Sequence, residues 1–175
     1  VHGAGLIGQG VIAACVHRGC VVVAVDINDR QLEMARKMGA DHLINSAREN
    51  AAEALARIAP EGGDMVFECT GIPACVNPAV ALCRPLGTFV WQGNYGAAPL
   101  SFDFLPAHGR RLKMVFPCDD GYQPARAAVV RNMAMGALNW EHCITHRIEW
   151  TEAPQVFARI NQGEPELTGV LVHWD

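Results

Sequence analysis

Apolar positions fall in two rhythms that take turns along this chain: short unbroken runs, and longer stretches with apolar residues on one helical face. The run 20–25 (Cys20, Val21, Val22, Val23, Ala24, Val25) contains no polar residue, as expected for a strand buried on both faces of a parallel sheet. Mainly apolar runs that read as further strands stand at 42–44, 65–69, 87–92 and 112–116. Between them, residues 9–18 space Val11, Ile12, Ala14, Cys15 and Val16 as one buried face of a helix, which Gly19 ends. Asn28 or Asp29 can cap a second helix through Leu32, Ala35, Arg36 and Met38, with Gly39 as its stop. Ser46-Ala47-Arg48-Glu49 has capping-box spacing and predicts a helix from there to about Ala59, closed by Pro60-Glu61-Gly62-Gly63. Residues 73–83 and about 124–135 predict further helices, separated by an irregular stretch around Pro99 and Pro106. Near the end, Thr151 can cap a helix containing Val156, Phe157 and Ile160, and 169–172 reads as a last strand. Regular alternation of strand and helix predicts an α/β fold, a doubly wound parallel sheet.

The turn before the first helix adds chemistry to this pattern. Val1-His2-Gly3-Ala4-Gly5-Leu6-Ile7-Gly8 is a Gly-x-Gly-x-x-Gly sequence, and the run 20–25 ends in Asp26. Gly3 permits the tight turn, Gly5 lets a pyrophosphate approach the backbone, and Gly8 lets helix and sheet pack closely. The phosphates then meet free N–H groups at the helix start. Asp26, at a strand's carboxyl end, can accept from the adenosine ribose hydroxyls, which is the Rossmann arrangement for a dinucleotide. A 2′-phosphate about 3 Å from this carboxylate would be repelled by roughly 1 kcal/mol in water and about 5 kcal/mol at an effective dielectric of 20. Ile27-Asn28-Asp29 follows with no immediate cation, although Arg30 is near, so NAD is favoured over NADP.

Composition narrows the partners. With 18% charged residues and a net charge of −4 in 175 residues, nothing attracts nucleic acid or an anionic membrane. The apolar runs are too short to span a bilayer. Seven cysteines without any Cys-x-x-Cys pair suit a reducing cytoplasm and argue against a disulfide framework or a four-cysteine zinc lobe. His142-Cys143-Ile144-Thr145-His146 has metal-ligand residue types, but 144–148 reads as extended, which sends neighbouring side chains to opposite faces. Glu68 has two readings, a polar strand end or a group at the nucleotide crevice. His146 and Arg147 read as fold contacts, and Trp91, Trp140, Trp150 and Trp174 as core or interface residues.

Gly3 to Gly8, Val25-Asp26, Gly39-Ala40-Asp41, residues 64–71, Gly87 to Gly93, and Thr145-His146-Arg147 with Glu152-Ala153-Pro154 together resemble the medium-chain dehydrogenase/reductase family. The likeness is to its zinc-dependent alcohol and polyol dehydrogenases, such as those for sorbitol, idonate and threonine, and runs along the whole chain. It implies a Rossmann NAD-binding domain over 1–141, with its first strand cut short. Residues 142–175 would be a tail that completes a catalytic domain absent from this chain. Zinc in the intact enzyme would be bound by that absent domain; within this chain the resemblance implies neither a catalytic residue nor a metal ligand. Gly3, Gly5 and Gly8, with the N–H groups of Leu6 and Ile7, would hold the pyrophosphate; Asp26 would bind the ribose, with Ile27 against the adenine and Asn28 and Gln31 nearby. Cys69 and Thr70 would flank the ribose and adenine side. Gln92, Gly93 and Asn94 would lie under the nicotinamide, and Val115 to Pro117 would meet its carboxamide, although Pro117 has no N–H to give. Leu167-Thr168-Gly169 offers no cation where relatives place a phosphate contact.

By the same resemblance the intact enzyme would move a hydride between an alcohol and NAD, acting on a small alcohol or polyol, as a homo-dimer or homo-tetramer joined through 99–105 and 112–116. This chain alone would bind NAD and turn over nothing, and its tail would expose apolar surface. Two other readings share parts of the pattern. A stand-alone NAD(H)-sensing regulatory domain needs Gly3 to Gly8 and Asp26 but neither the 64–71 block nor the 145–154 block, and Asp26 argues against a zinc-free quinone or enoyl reductase.

Overall fold

A computed structural model describes residues 1–117 and 122–175. Helix α1 (Leu6–His17) is followed by β1 (Val23–Asp26), α2 (Asp29–Lys37), β2 (His42–Asn45), α3 (Ala51–Ile58), β3 (Gly63–Glu68), α4 (Val76–Ala81) and β4 (Cys83–Trp91). Then come α5 (Phe104–Gly109), β5 (Lys113–Val115), α6 (Gln123–Ala134), β6 (Ile144–Glu149), α7 (Ala153–Asn161) and β7 (Gly169–His173).

All strand pairs are parallel: β1 with β2, β3 with β4, β4 with β5, and separately β6 with β7. The segment before α1 joins the first two groups. His2 bridges Val25 on one side and Glu68 on the other, with His2 N donating to Phe67 O and Gly3 N to Val25 O, both at 2.8 Å. The order across the sheet is therefore β2, β1, the His2 segment, β3, β4, β5. The chain leaves the middle in one direction for β1 and β2, then returns to build β3 to β5. That reversal opens a crevice at the strands' carboxyl ends, beside the Gly3 turn.

Two apolar clusters cover the faces. Ile12 and Ala13 of α1 and Leu32 and Ala35 of α2 pack on Val22 and Ala24. On the other face, Leu55 of α3, Val76 and Val80 of α4 and Ala107 of α5 pack on Val25, Ile44, Val66, Phe89 and Trp91. The doubly wound parallel sheet is the fold expected from the alternation.

Several boundaries move for local reasons. The strand expected from Cys20 starts at Val23, where pairing with His42 begins, and Val21 is 74% exposed. The helix expected to open at Ser46 starts at Ala51 instead. Asn50 caps it, its Oδ1 accepting from Ala52 N and Glu53 N, while Ser46 N donates to Asp26 O and Asn45 Oδ1 accepts from Ala47 N. The helix expected over 73–83 is a 3-10 turn, Pro73–Cys75, and then α4, because Cys83 already pairs with Gly63 in β4. The stretch read as irregular holds α5, with Pro106 in its first turn where no N–H is needed. Thr151 does not cap α7. Glu149 and Glu152 form a capping box around the 3-10 turn Trp150–Glu152, and α7 follows.

Trp91 lies in the core, but Trp150 and Trp174 stack on each other at the surface, ring centres 6.4 Å apart. Helix α6 buries none of its residues, leaving Val129, Val130 and Met133 exposed, and Phe157 and Ile160 of α7 are exposed as well. Cys143, just before β6, is fully buried in the cluster with Ile12 and Leu32. Two side-chain contacts tie the tail to α2: Arg30 Nη1 lies 2.6 Å from Glu166 Oε1, and Gln31 Nε2 donates to Thr168 Oγ1 at 2.8 Å.

Candidate functional site

The crevice is walled by the turns that leave the His2 segment, β1, β3 and β4. Gly3 has φ +90°, and a Cβ there would stand 2.7 Å from Thr70 Cγ2 and 2.9 Å from Thr70 N. Gly8 must be glycine for packing, since a Cβ would overlap the Gly3 carbonyl oxygen. Gly5 differs from both: a Cβ added there meets nothing within 4 Å. It is the N-cap of α1, no side chain caps that helix, and its first N–H groups have no partner within the helix. The bare cradle fits a pyrophosphate, because the ligand can reach the backbone where a side chain would otherwise stand.

Asp26 closes the neighbouring corner. Its Oδ2 accepts from Ala4 N at 2.7 Å and its Oδ1 from Asn28 N at 2.9 Å. Each carboxylate oxygen keeps further acceptor capacity, so both ribose hydroxyls can still be bound. Ile27 stands beside it, 70% exposed, as an uncovered apolar platform. Asn28 is committed to capping α2 through Arg30 N. Gln31 holds Thr168 with its Nε2, and its backbone oxygen accepts from Gln9 Nε2 at 2.9 Å. The amide of Gln31 is thus turned toward the tail. A cavity of about 450 Å³ opens next to the β1 end, lined by His2, Ser46, Asn50, Cys75 and Pro78 among others. Its residues come from three separate stretches, the His2 segment, 46–52 and 75–81, so no local pattern marks them.

Across the crevice the turns touch backbone to backbone. A Cβ on Gly71 would lie 2.5 Å from Asn94 O, and one on Gly93 would lie 2.5 Å from Gly71 N. Cys69, Thr70, Gln92, Gly93 and Asn94 are thereby brought together. Burial pushes the Cys69 thiol up to about 12, so it stays protonated at neutral pH. Val115 ends β5. Phe116 stacks on Trp91 at 5.3 Å, and Pro117 is exposed at the edge of the described residues. Cys118 lies outside them.

Under this floor sits Glu68, with no exposed surface. Thr70 donates to it with both N, at 3.0 Å, and Oγ1, and the Tyr95 hydroxyl donates to its other oxygen. His2 Nδ1 lies 3.5 Å away, in ion-pair range but without hydrogen-bond geometry. Burial pushes the carboxyl of Glu68 up, but the contacts from His2, Thr70 and Tyr95 outweigh it and hold the group below the usual carboxylate range. Burial, and then the bond to Glu68, raise the Tyr95 hydroxyl. Tyr95 had no sequence signal, since its partner is 27 residues away.

Among the described residues no group of three or more His, Cys, Asp or Glu could hold a metal ion. His146 hydrogen-bonds its neighbour Thr145, and Arg147 pairs with Glu141, both at the surface. A second cavity, of about 430 Å³, lies among Phe102, Phe104, His108, Leu112 and Met114 and contains none of the crevice residues.

Residues 7–133 match the family described as zinc-binding dehydrogenase. D-xylulose reductase of Scheffersomyces stipitis is 30% identical over 173 residues, covering 94% of this chain and 47% of that protein. Sorbitol dehydrogenase of Bacillus subtilis is 25% identical, over 99% of this chain and 49% of its own length. A zinc-binding dehydrogenase from Sinorhizobium meliloti, solved with NADP bound, is 25% identical with a TM-score of 0.81, over 90% of this chain and 47% of that one. The chain spans about half the length of the curated relatives it matches. With the glycine cradle, Asp26 at the switch of strand order and a match along most of its length, this chain belongs to the zinc-binding dehydrogenase family.

Proposed function

We propose that this chain is the NAD-binding part of an NAD-dependent alcohol or polyol dehydrogenase, an oxidoreductase acting on CH–OH groups. The observation that carries the reading is the pairing of an open Gly5 cradle with Asp26. A relative of the same fold was solved with NADP, so fold alone does not select the cofactor. Asp26 does, because its charge would repel a 2′-phosphate at ribose distance.

The residues divide the work. Gly3, Gly5 and Gly8, with the N–H groups of Leu6 and Ile7, bind the pyrophosphate, while Asp26 fixes the adenosine ribose and Ile27 covers the adenine. The cavity beside His2 and Ser46 receives the adenine end. Gln92 to Asn94 support the nicotinamide ring, and the backbone from Val115 to Pro117 sets its rotation. NAD supplies the hydride chemistry when bound, and the protein supplies binding and orientation. The described residues form no ligand set for zinc, whose ligands in the intact enzyme lie in its catalytic domain.

In this reading 1–141 is the cofactor domain and 142–175 belongs with the catalytic domain. The intact enzyme is a homo-dimer or homo-tetramer of the reducing cytoplasm. In support, β5 pairs on one side only among the described residues, the six described cysteines are free, and no described helix is long and apolar enough to cross a membrane. The similarity to proteins named D-xylulose reductase and sorbitol dehydrogenase favours a polyol as substrate. The test is oxidation of sorbitol, xylitol and a simple primary alcohol by the intact enzyme, followed through NADH. NAD-linked oxidation of a polyol is expected. NAD binding without oxidation of any alcohol would instead favour the sensing domain.

A further inference from the structure

Glu68 has no exposed surface, and the groups its side chain hydrogen-bonds belong to walls of the crevice. Its Oε1 takes both donors of Thr70, in the turn after β3, and its Oε2 takes the Tyr95 hydroxyl, in the turn after β4. Its backbone oxygen accepts from Gln92 N at 3.0 Å and Gly93 N at 2.8 Å. A Cβ on Gly93 would lie 3.1 Å from Oε2, so the carboxylate sits directly beneath the residue that supports the nicotinamide. The Tyr95 ring is in turn wedged edge-on against Trp91, 5.7 Å between centres.

A buried carboxylate is costly unless its oxygens are all engaged, and an uncharged strand end would serve the fold with less desolvation. What the carboxylate adds is two acceptor oxygens aimed at two different turns. We infer that Glu68 and Tyr95 form a positioning pair that locks the 92–95 turn to the 69–71 turn and so sets the seat of the nicotinamide half of the dinucleotide. Neither group touches the cofactor. The pair acts through Gly93 and Thr70, and it rests on the assignment of the crevice to NAD.

That geometry separates the two halves of the ligand. Tyr95 reaches only the nicotinamide side, whereas the adenosine side is held by Asp26, Ile27 and the His2 cavity. Titrations of the purified protein with NADH and with AMP, on wild type and Tyr95→Phe, read the difference. The variant is expected to weaken NADH about tenfold, equivalent to about 1.4 kcal/mol, and to leave AMP within about twofold. The double variant Glu68→Gln/Tyr95→Phe removes the buried charge together with the hydroxyl, so it gives a second reading should the single variant not fold. It is expected to keep the larger loss on NADH, with a smaller loss on AMP because Glu68 also contacts Thr70 and His2 on the adenosine side, and to add little to the loss of Glu68→Gln alone. Unchanged NADH affinity in these variants, or equal weakening of NADH and AMP, would overturn the inference. A wild type that binds neither ligand would overturn the assignment of the crevice itself, and the pair's role with it.

Discussion

Gly5 and Gly8 are three residues apart in one motif, yet the structure gives them opposite burdens, and alanine at each position separates binding from folding. At Gly5 an added methyl meets nothing within 4 Å, and the backbone (φ −70°, ψ −167°) suits any residue. Losing a glycine N-cap costs under about 1 kcal/mol, and a less flexible unfolded chain returns about 0.4–1 kcal/mol. The melting temperature of Gly5→Ala should therefore stay within about 3 °C of wild type. The methyl nevertheless fills the space where the pyrophosphate meets the backbone. Displacing the phosphate from two N–H donors, each worth about 1.5–3 kcal/mol as a charged hydrogen bond, costs about 3 kcal/mol or more, a loss of at least roughly 100-fold in NADH affinity. At Gly8 the methyl overlaps the Gly3 carbonyl, so α1 must lift off the sheet and Ile12, now wholly buried, loses its packing. Gly8→Ala should lose about 3 kcal/mol or more of stability, or about 6–12 °C. The assays are a thermal melt and an NADH titration on both variants. Gly5→Ala with wild-type affinity would refute the placement of the phosphates, and Gly8→Ala with wild-type stability would refute the close helix packing.

Acid stability should depend on Glu68. Its folded pKa is held below the usual carboxylate range, so its contribution is complete above the unfolded value and is lost as pH falls through the folded pKa. Urea unfolding between pH 7 and 3.5 should show Glu68→Gln with a shallower acid decline than wild type; parallel declines would contradict this. Among the cysteines, burial pushes Cys69 up to about 12 and Cys83 and Cys143 to about 11. Iodoacetamide at pH 8 should label exposed Cys20 and spare these three in the native protein, and mass mapping that finds Cys143 modified first would count against its burial under α1 and α2.

The parts legible in the sequence were those whose cause is local. A three-glycine turn, an apolar run and an acid at its end sit within 26 residues, and Asp26 joins them directly by accepting from Ala4 N. Helix α2, with Leu32 and Ala35 buried on one face, was legible for the same reason, whereas α1 buries Gly8, Gln9, Ile12 and Ala13 and leaves Ala14 of the expected face exposed. What escaped depended on competition or on distance. Ser46 and Asn50 both offer a helix cap, and Asn50 prevails because Ser46 is drawn to Asp26 O. Helix α5 is six residues long and held mainly by burying Ala107, too short for its period to show. The roles of Glu68 and Tyr95 arise only when β3 and β4 lie side by side. Gln31 shows the same limit at the cofactor's edge, since its partner Thr168 is 137 residues away.

The central claim is an NAD site whose selectivity resides in Asp26. It is tested most directly by calorimetric titration of the wild-type protein with NADH and NADPH under one buffer. The account predicts that NADH binds and that NADPH binds at least about tenfold more weakly, as a repulsion of about 1.4 kcal/mol or more requires. Equal affinity for both, or tighter binding of NADPH, would contradict it.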